Sequence, residues 1–313
     1  MPIAPIASPS VLCIRNVTKT FDRIVAVDDL SFEIPEGCIF GFLGPNGAGK
    51  TTTMRMVLDI LRPDSGTITW RDSPISEPVR RHFGYLPEER GLYQKMKVGD
   101  ELLFFARLYG LDLATASARV GDWLERFGIA DRKNSRVEEL SRGNQQKVQV
   151  ITALLHEPDL ALLDEPFTGL DPINSEFLAE ALRSLRDSGK TVVLSSHRLE
   201  QVEELCDNIA IIARGRLRLA GGVAEVRDRA VRRIVNVRTA SGSVRGAEEL
   251  PLRPLESSRD HLRFALESDA DPQAVLAALM QREEIQLFSL ERPSLQEIFI
   301  SAVGDEGGAG GPA

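Results

Sequence analysis

The sequence predicts an α/β protein: a mostly parallel sheet covered by helices, with an inserted helical subdomain and a small α+β domain at the end. Three observations carry this. Apolar runs near 38 to 43, 159 to 163, 191 to 195 and 208 to 213 have strand length and alternate with helical patterns, the rhythm of βαβ units. Between Glu88 and Ser141 that rhythm stops, and stretches such as 102 to 109 and 120 to 124 read as helices. Beyond Gly221-Gly222, shorter elements begin again. At 313 residues and 42% apolar content, the chain has room for about two domains with real cores.

The run Cys38-Ile39-Phe40-Gly41-Phe42-Leu43 leads straight into Gly44-Pro45-Asn46-Gly47-Ala48-Gly49-Lys50-Thr51, which fits G-x-x-x-x-G-K-[ST]. In that pattern consecutive backbone N–H groups close around phosphate oxygens, and a Cβ at Gly44, Gly47 or Gly49 would block the approach. Lys50 then meets the β- and γ-phosphates. Thr51 opens a helix and offers its hydroxyl to Mg²⁺, with Thr52 beside it. The helix N-terminus adds free N–H groups and a favourable dipole. A nucleoside triphosphate is the expected ligand.

Leu160-Ala161-Leu162-Leu163 is a buried strand ending in Asp164-Glu165-Pro166. Beside a phosphate loop, Asp164 suits a Mg²⁺ ligand, and Glu165 suits the base that orients and deprotonates water. Ser141 precedes a helix running toward His156, with Val148, Val150, Ile151, Ala153 and Leu154 on its apolar positions. Gly189-Lys190-Thr191 copies the end of a phosphate loop but has Ser184 where the first glycine is needed, so it reads as a turn before a strand.

The segment Leu140-Ser141-Arg142-Gly143-Asn144-Gln145-Gln146 resembles the L-S-G-G-Q signature of ABC transporter ATPases, placed just upstream of the acidic strand as in that family. Gly169-Leu170-Asp171 resembles its D-loop, Ser195-Ser196-His197 its switch histidine, and Phe21 the aromatic that stacks on adenine. The resemblance implies a RecA-like P-loop core with an antiparallel β subdomain, cofactors ATP and Mg²⁺, and two ATPase subunits facing head to tail. It assigns Glu165, His197 and Lys50 to catalysis, and Thr51, Asp164 and Glu88 to the metal. It implies nucleotide contacts from Phe21, residues 44 to 52, Glu88, Ser141, Gly143 and Asp171, with Ser141 and Gly143 meeting the γ-phosphate held by the partner copy's Lys50. Two departures stand out: Glu88 occupies a place where the family usually has glutamine, and the signature carries Arg142 and Asn144. An added carboxylate beside triphosphate is expected to alter metal affinity.

The implied domains are an ABC-type ATPase domain at 11–222, with a helical subdomain at about 89–157, an accessory α+β domain at 223–302 and a disordered, Gly-rich tail at 303–313. In the second domain, strands are expected at 234 to 238 and 262 to 266. A helix capped by Asp271 with Pro272 at its first position is expected to follow. This C-terminal segment, which ends in Pro293 to Ile300, looks like the accessory domain of exporter-type ATPases of the sodium-extrusion and drug-resistance branch, a likeness that covers roughly residues 225 to 302.

A formal charge of −8 without a basic stripe argues against a nucleic-acid partner. No apolar run has bilayer length and the first residues lack the positive region of a secretion signal, so the expected place is the cytosol. Within the family, that position means the inner face of the cell membrane, reached through a separate integral membrane permease. Cys13, Cys38 and Cys206 lack metal-ligand spacing and read as buried thiols. The expectation is therefore an export ATPase subunit, with a homodimer of ATPases. The alternative is a non-transport ATPase of the same superfamily, in DNA repair or translation, which normally brings a long coiled coil or a second ATPase domain. A pseudo-enzyme reading rests on Glu88 alone.

Overall fold

The computed structural model describes residues 10–89, 91–196, 198–229, 233–255, 262–267 and 270–304, which fall into two compact units, Met1–Gly222 and Val223–Ala313. The first opens with a hairpin, β1 (Ser10–Phe21) and β2 (Ile24–Pro35), followed by β3 (Ile39–Leu43) and α1 (Lys50–Val57). Then come β4 (Ser65–Trp70), β5 (Ser73–Pro74), the single turn α2 (Glu77–Arg80) and β6 (Phe83–Leu86). Helices α3 (Val98–Leu108), α4 (Leu113–Arg126) and α5 (Arg142–Leu154) form the stretch where the strand rhythm lapses. The chain then alternates through β7 (Leu160–Asp164), α6 (Pro172–Asp187), β8 (Thr191–Ser195), α7 (Leu199–Leu205) and β9 (Asn208–Ala213), and returns along β10 (Arg216–Gly222).

Six of these strands make a sheet in the order β10-β9-β3-β8-β7-β6, parallel from β9 to β6, with β10 antiparallel at one edge. Every residue of β3, β7 and β8 is buried. A parallel sheet covered on both faces demands this, and it is why these strands are unbroken apolar runs in the sequence. Four others make an antiparallel sheet, β2-β1-β4-β5. The two sheets share a core in which Phe32 of β2 packs on Phe40 and Phe42 of β3, ring centroids 5.7 and 5.3 Å apart. That packing seats the hairpin beside the strand that carries the phosphate loop. The hairpin is hard to read from sequence because register shifts interrupt its pairing, with Asn16 and Asp29 at positive φ, and its polar positions face outward.

Gly189 turns at φ +81° into β8, as expected for a turn rather than a second phosphate loop. All three cysteines are buried and free, and burial pushes the Cys38 thiol up to about 12. His156, just past α5, stacks on Tyr109 with centroids 3.7 Å apart, and its Nε2 lies 3.2 Å from the Phe83 carbonyl oxygen.

The second unit contains α8 (Val223–Arg229), β11 (Ile234–Thr239), β12 (Leu252–Pro254), β13 (Leu262–Leu266), α9 (Pro272–Met280), β14 (Ile285–Glu291) and α10 (Leu295–Gly304). Its sheet, β12-β13-β11-β14, is antiparallel throughout. Val235, Val237, Phe264 and Leu266 pack against Val275 and Leu279 of α9. Asp271 caps α9 by accepting from Gln273 N at 3.0 Å. Ser294 and Glu297 form a reciprocal capping box: the Ser294 hydroxyl accepts from Glu297 N at 3.3 Å, and Glu297 Oε2 accepts from Ser294 N at 2.9 Å. One boundary changes from the sequence expectation: residues 303 and 304 finish α10 instead of opening the tail, because the box nucleates a helix that continues through them. Residues 305–313 lie outside the described residues.

Burial, above all, lowers the His156 pKa from the ordinary 6.5 to about 4. The ring is therefore neutral in the native chain and binds a proton on unfolding once the pH is below 6.5. Its stabilising effect is complete above that pH and is lost as the pH falls toward 4, by at most about 3 kcal/mol. Urea unfolding at pH 7.5 and 5 should show a drop for the wild type that is visibly smaller in His156→Gln.

Candidate nucleotide-binding site

The strand order β3-β8-β7 aligns three carboxyl ends side by side, which in an open α/β sheet is where ligands bind. After β3, residues 44 to 49 form a loop that delivers Lys50 as the first residue of α1. Gly49 holds φ +105° as the N-cap and supplies no side-chain cap, so the first N–H groups of α1 are left for a ligand. The glycines prove necessary for partly different reasons than expected. A Cβ on Gly44 would run into the Ile212 carbonyl oxygen, and one on Gly49 would lie 2.5 Å from the Ala26 carbonyl oxygen. These two let the loop lie tight on β9 and β2, while Gly47 has open space and is needed for its φ of +77°. Pro45, Asn46 and Gly47 are exposed at the tip and Ala48 is buried beneath it.

Lys50 Nζ donates to the carbonyls of Gly44 at 2.6 Å and Pro45 at 3.2 Å, so it lies across the loop's mouth. Burial pulls its ammonium below the ordinary lysine range, while the charges of Glu165, Asp164 and Glu88 oppose that shift. The lysine therefore senses all three carboxylates.

Asp164, 1% exposed at the end of β7, accepts from Thr51 Oγ1 at 2.6 Å and from Ser195 Oγ at the end of β8. Ser195 Oγ in turn accepts from Glu165 N at 2.9 Å. Glu165 sits at φ +52°, the left-handed region that costs a non-glycine residue about 1 kcal/mol, and this bond helps hold it there. Ser195 is the group that sequence reasoning missed. The available signal was its position as the last residue of a buried strand, directly in register with Asp164.

The hydroxyl and carboxylate donors around Asp164 suit a hard cation. Among the described residues no three His, Cys, Asp or Glu side chains cluster, but Mg²⁺ asks for only one or two carboxylates besides phosphate oxygens and water. Glu88 is exposed two residues beyond β6. Phe21 is half exposed at the tip of the first hairpin, on the chain that passes Gly49 at Ala26, and Lys19 Nζ lies 5.6 Å from its ring centroid. Thr52 is half-buried on α1.

Ser141 caps α5, accepting from Asn144 N at 3.3 Å, and is exposed. Gly143 packs against the chain at Gly169, whose carbonyl oxygen would stand 2.9 Å from an added Cβ. Ser141 thus bonds within its own helix, its carbonyl also accepting from Gln145 N at 2.9 Å, while Gly143 lies against the chain at Gly169. Asp171 caps α6, accepting from Asn174 N at 2.9 Å and from its side-chain amide, and these bonds hold its carboxyl below the usual range. His197 lies outside the described residues.

A parallel sheet with a phosphate loop on its central strand and an acidic pair two strands away defines a P-loop nucleotide-binding ATPase of the RecA-like type. Residues 27–168 match the ABC transporter family, and residues 221–303 match the C-terminal domain of ATP-binding proteins like DrrA1-3. The chain is 45% identical to the ABC transporter ATP-binding protein YhaQ of Bacillus subtilis, over 94% of this chain and 98% of that one. It is 36% identical to the Nod factor export ATP-binding protein I of Cupriavidus metallidurans, over 95% and 98%. A solved ATP-binding subunit of an ABC transporter superposes with a TM-score of 0.66 at 31% identity, covering 70% of this chain and 92% of that one. The chain belongs to the ATP-binding proteins of ABC transporters, the ATP-hydrolysing subunits of that family.

Removing the Ser195 hydroxyl leaves the buried Asp164 and the Glu165 N–H each one partner short. Ser195→Ala should lose about 1–3 kcal/mol in chemical denaturation. A loss under about 0.5 kcal/mol, the size typical of a neutral surface change, would show that the bridge is not structural.

Proposed function

We propose that the chain powers export through a separate membrane permease, and that two copies close head to tail over ATP at the cytosolic face of the membrane. The observation that carries the catalytic reading is the cluster Thr51–Asp164–Ser195–Glu165 beside Lys50 at the strand ends. The support for export is the similarity to the Nod factor export protein and to the DrrA1-3-like C-terminal domain. No helix among the described residues is long and apolar enough to cross a membrane, so this reading gives the spans to another chain.

In this reading the α1 N-terminus and the loop N–H groups take the phosphates. Lys50 leaves the Gly44 and Pro45 carbonyls to pair with the β- and γ-oxygens. Thr51 and Asp164 hold Mg²⁺, with Glu88 nearby; the ion, when bound, offsets charge on the phosphate oxygens. Glu165, held by its own backbone bond to Ser195, accepts the proton of the attacking water, and His197 assists at the γ-phosphate. Phe21 stacks on the base. Ser141 and Gly143, at the outward-facing start of α5, meet the γ-phosphate bound by the other copy, with Asp171 lining the junction.

Tyr93, Phe104 and Phe105 support the docking of a permease segment. They pack on one another with centroids 5.4 to 6.0 Å apart, yet Tyr93 is 52% and Phe104 45% exposed. Leu108, one turn after Phe104, is also exposed. Aromatic rings left in water beside an apolar neighbour are the material of an interface core.

Glu165→Gln should abolish ATP turnover while leaving ATP-dependent dimerisation intact in size-exclusion runs. Turnover unchanged in that variant removes the assigned base. Phe104→Ser should reduce co-purification with the permease from solubilised membranes by roughly tenfold, the loss of about 1.4 kcal/mol, without changing basal ATPase activity. Undiminished co-purification would place the docking surface elsewhere.

A further inference from the structure

Three residues of α5 spaced by three form one stripe, and each touches a different segment of the site. Gly143 packs on Gly169, Gln146 Nε2 donates to the Pro166 carbonyl at 3.3 Å, and Gln149 Nε2 donates to the carbonyls of Pro87 at 3.2 Å and Glu89 at 3.0 Å. The last contact is the unusual one, because both carbonyls flank Glu88, one of the two places where the sequence departs from the family pattern.

Gln149 is only 5% exposed, and its neighbours Val148, Val150 and Ile151 are fully buried. Its Oε1 is buried without a hydrogen-bond partner among the described residues. A leucine would fill the same place without desolvating an amide, so packing does not explain a glutamine here. The amide has one workable orientation, since turning it over would set Oε1 against two carbonyl oxygens. One NH₂ group thus holds both ends of the short segment that presents Glu88, and Glu88 is close enough to act on the charge of Lys50.

We propose that Gln149 is a positioning residue that clamps residues 87–89 to α5, so that the Glu88 carboxylate moves as one body with Ser141 at the start of that helix. The part concerning Mg²⁺ rests on the assignment of Glu88 made above. Through this clamp, a displacement of α5 when a second copy engages Ser141 is carried to the carboxylate beside the phosphate loop. Glutamine at 149 and glutamate at 88 then work as a pair: the amide supplies hydrogen bonds to the backbone, and the carboxylate is free to face the metal.

The test uses the full-length chain with Gln149→Leu, and Gln149→Glu as a second variant of equal size whose carboxylate would oppose the two carbonyls. Without nucleotide, backbone hydrogen exchange over residues 86–93 should quicken by about tenfold in both, while peptides from β3 and α1 stay unchanged. In turnover assays, the Mg²⁺ concentration for half-maximal activity should rise several-fold in Gln149→Leu, with ATP affinity measured without Mg²⁺ unmoved. That rise should vanish when Glu88→Ala is already present, the coupling expected of two groups acting together. Unchanged exchange over 86–93, or a rise spread over all of α3 to α5 with a lowered Tm, would overturn the clamp. Faster exchange there with no change of Mg²⁺ requirement in either Gln149→Leu or Glu88→Ala upholds the clamp and removes Glu88 from the metal.

Discussion

The buried carboxylate of Asp164 is the constraint around which the first unit is organised. A charge taken out of water has to be matched by hydrogen bonds, and this one receives them from Thr51 at the start of α1 and Ser195 at the end of β8. Those two donors exist only because β3, β8 and β7 lie in that order with their carboxyl ends level. The fully apolar interiors of the same strands supply the burial that keeps them level. Hydrophobic packing and the polar cluster therefore depend on each other: the first sets the distances, and the second sets which register is acceptable.

From this cluster the remaining features follow by short links. Ser195 accepts from the Glu165 N–H, which keeps a non-glycine residue in a left-handed conformation directly after the strand. Lys50 is desolvated enough for three carboxylates to matter to its charge. α5 runs past the far side of the same residues and contacts the chain at 87 to 89, 166 and 169. A helix so held is tied to those segments by direct contacts, which gives a mechanical route between Ser141 and the acidic strand.

Much of the site was legible because its chemistry demands particular residue types at fixed spacing. The phosphate loop needs glycine where backbone meets backbone, and the packing of Gly44 on Ile212 and Gly49 on Ala26 shows how little room there is. The long first hairpin was not legible in its residues and came only through the resemblance. Its pairing is irregular and its outward positions are polar, so no clean period of two survives. Ser195 and Gln149 escaped for another reason: one is an ordinary strand residue and the other an ordinary helix residue until the partner segments are brought beside them.

By itself, the sequence determined the central parallel strands, the phosphate loop, the acidic pair and the helix start at Ser141, since each is a local pattern of apolar period or obligatory residue type. Only the tertiary structure decided that β8 lies between the loop strand and the acidic strand, that Ser195 bridges Asp164 to Glu165, and that Gln149 grips the chain on both sides of Glu88. The Ser195 and Gln149 contacts join residues 30 to 62 positions apart, and β8 pairs with β3 across a still longer stretch of chain. Their geometry is set by how sheet and helices pack, and no local pattern in the chain encodes a distance between two distant segments.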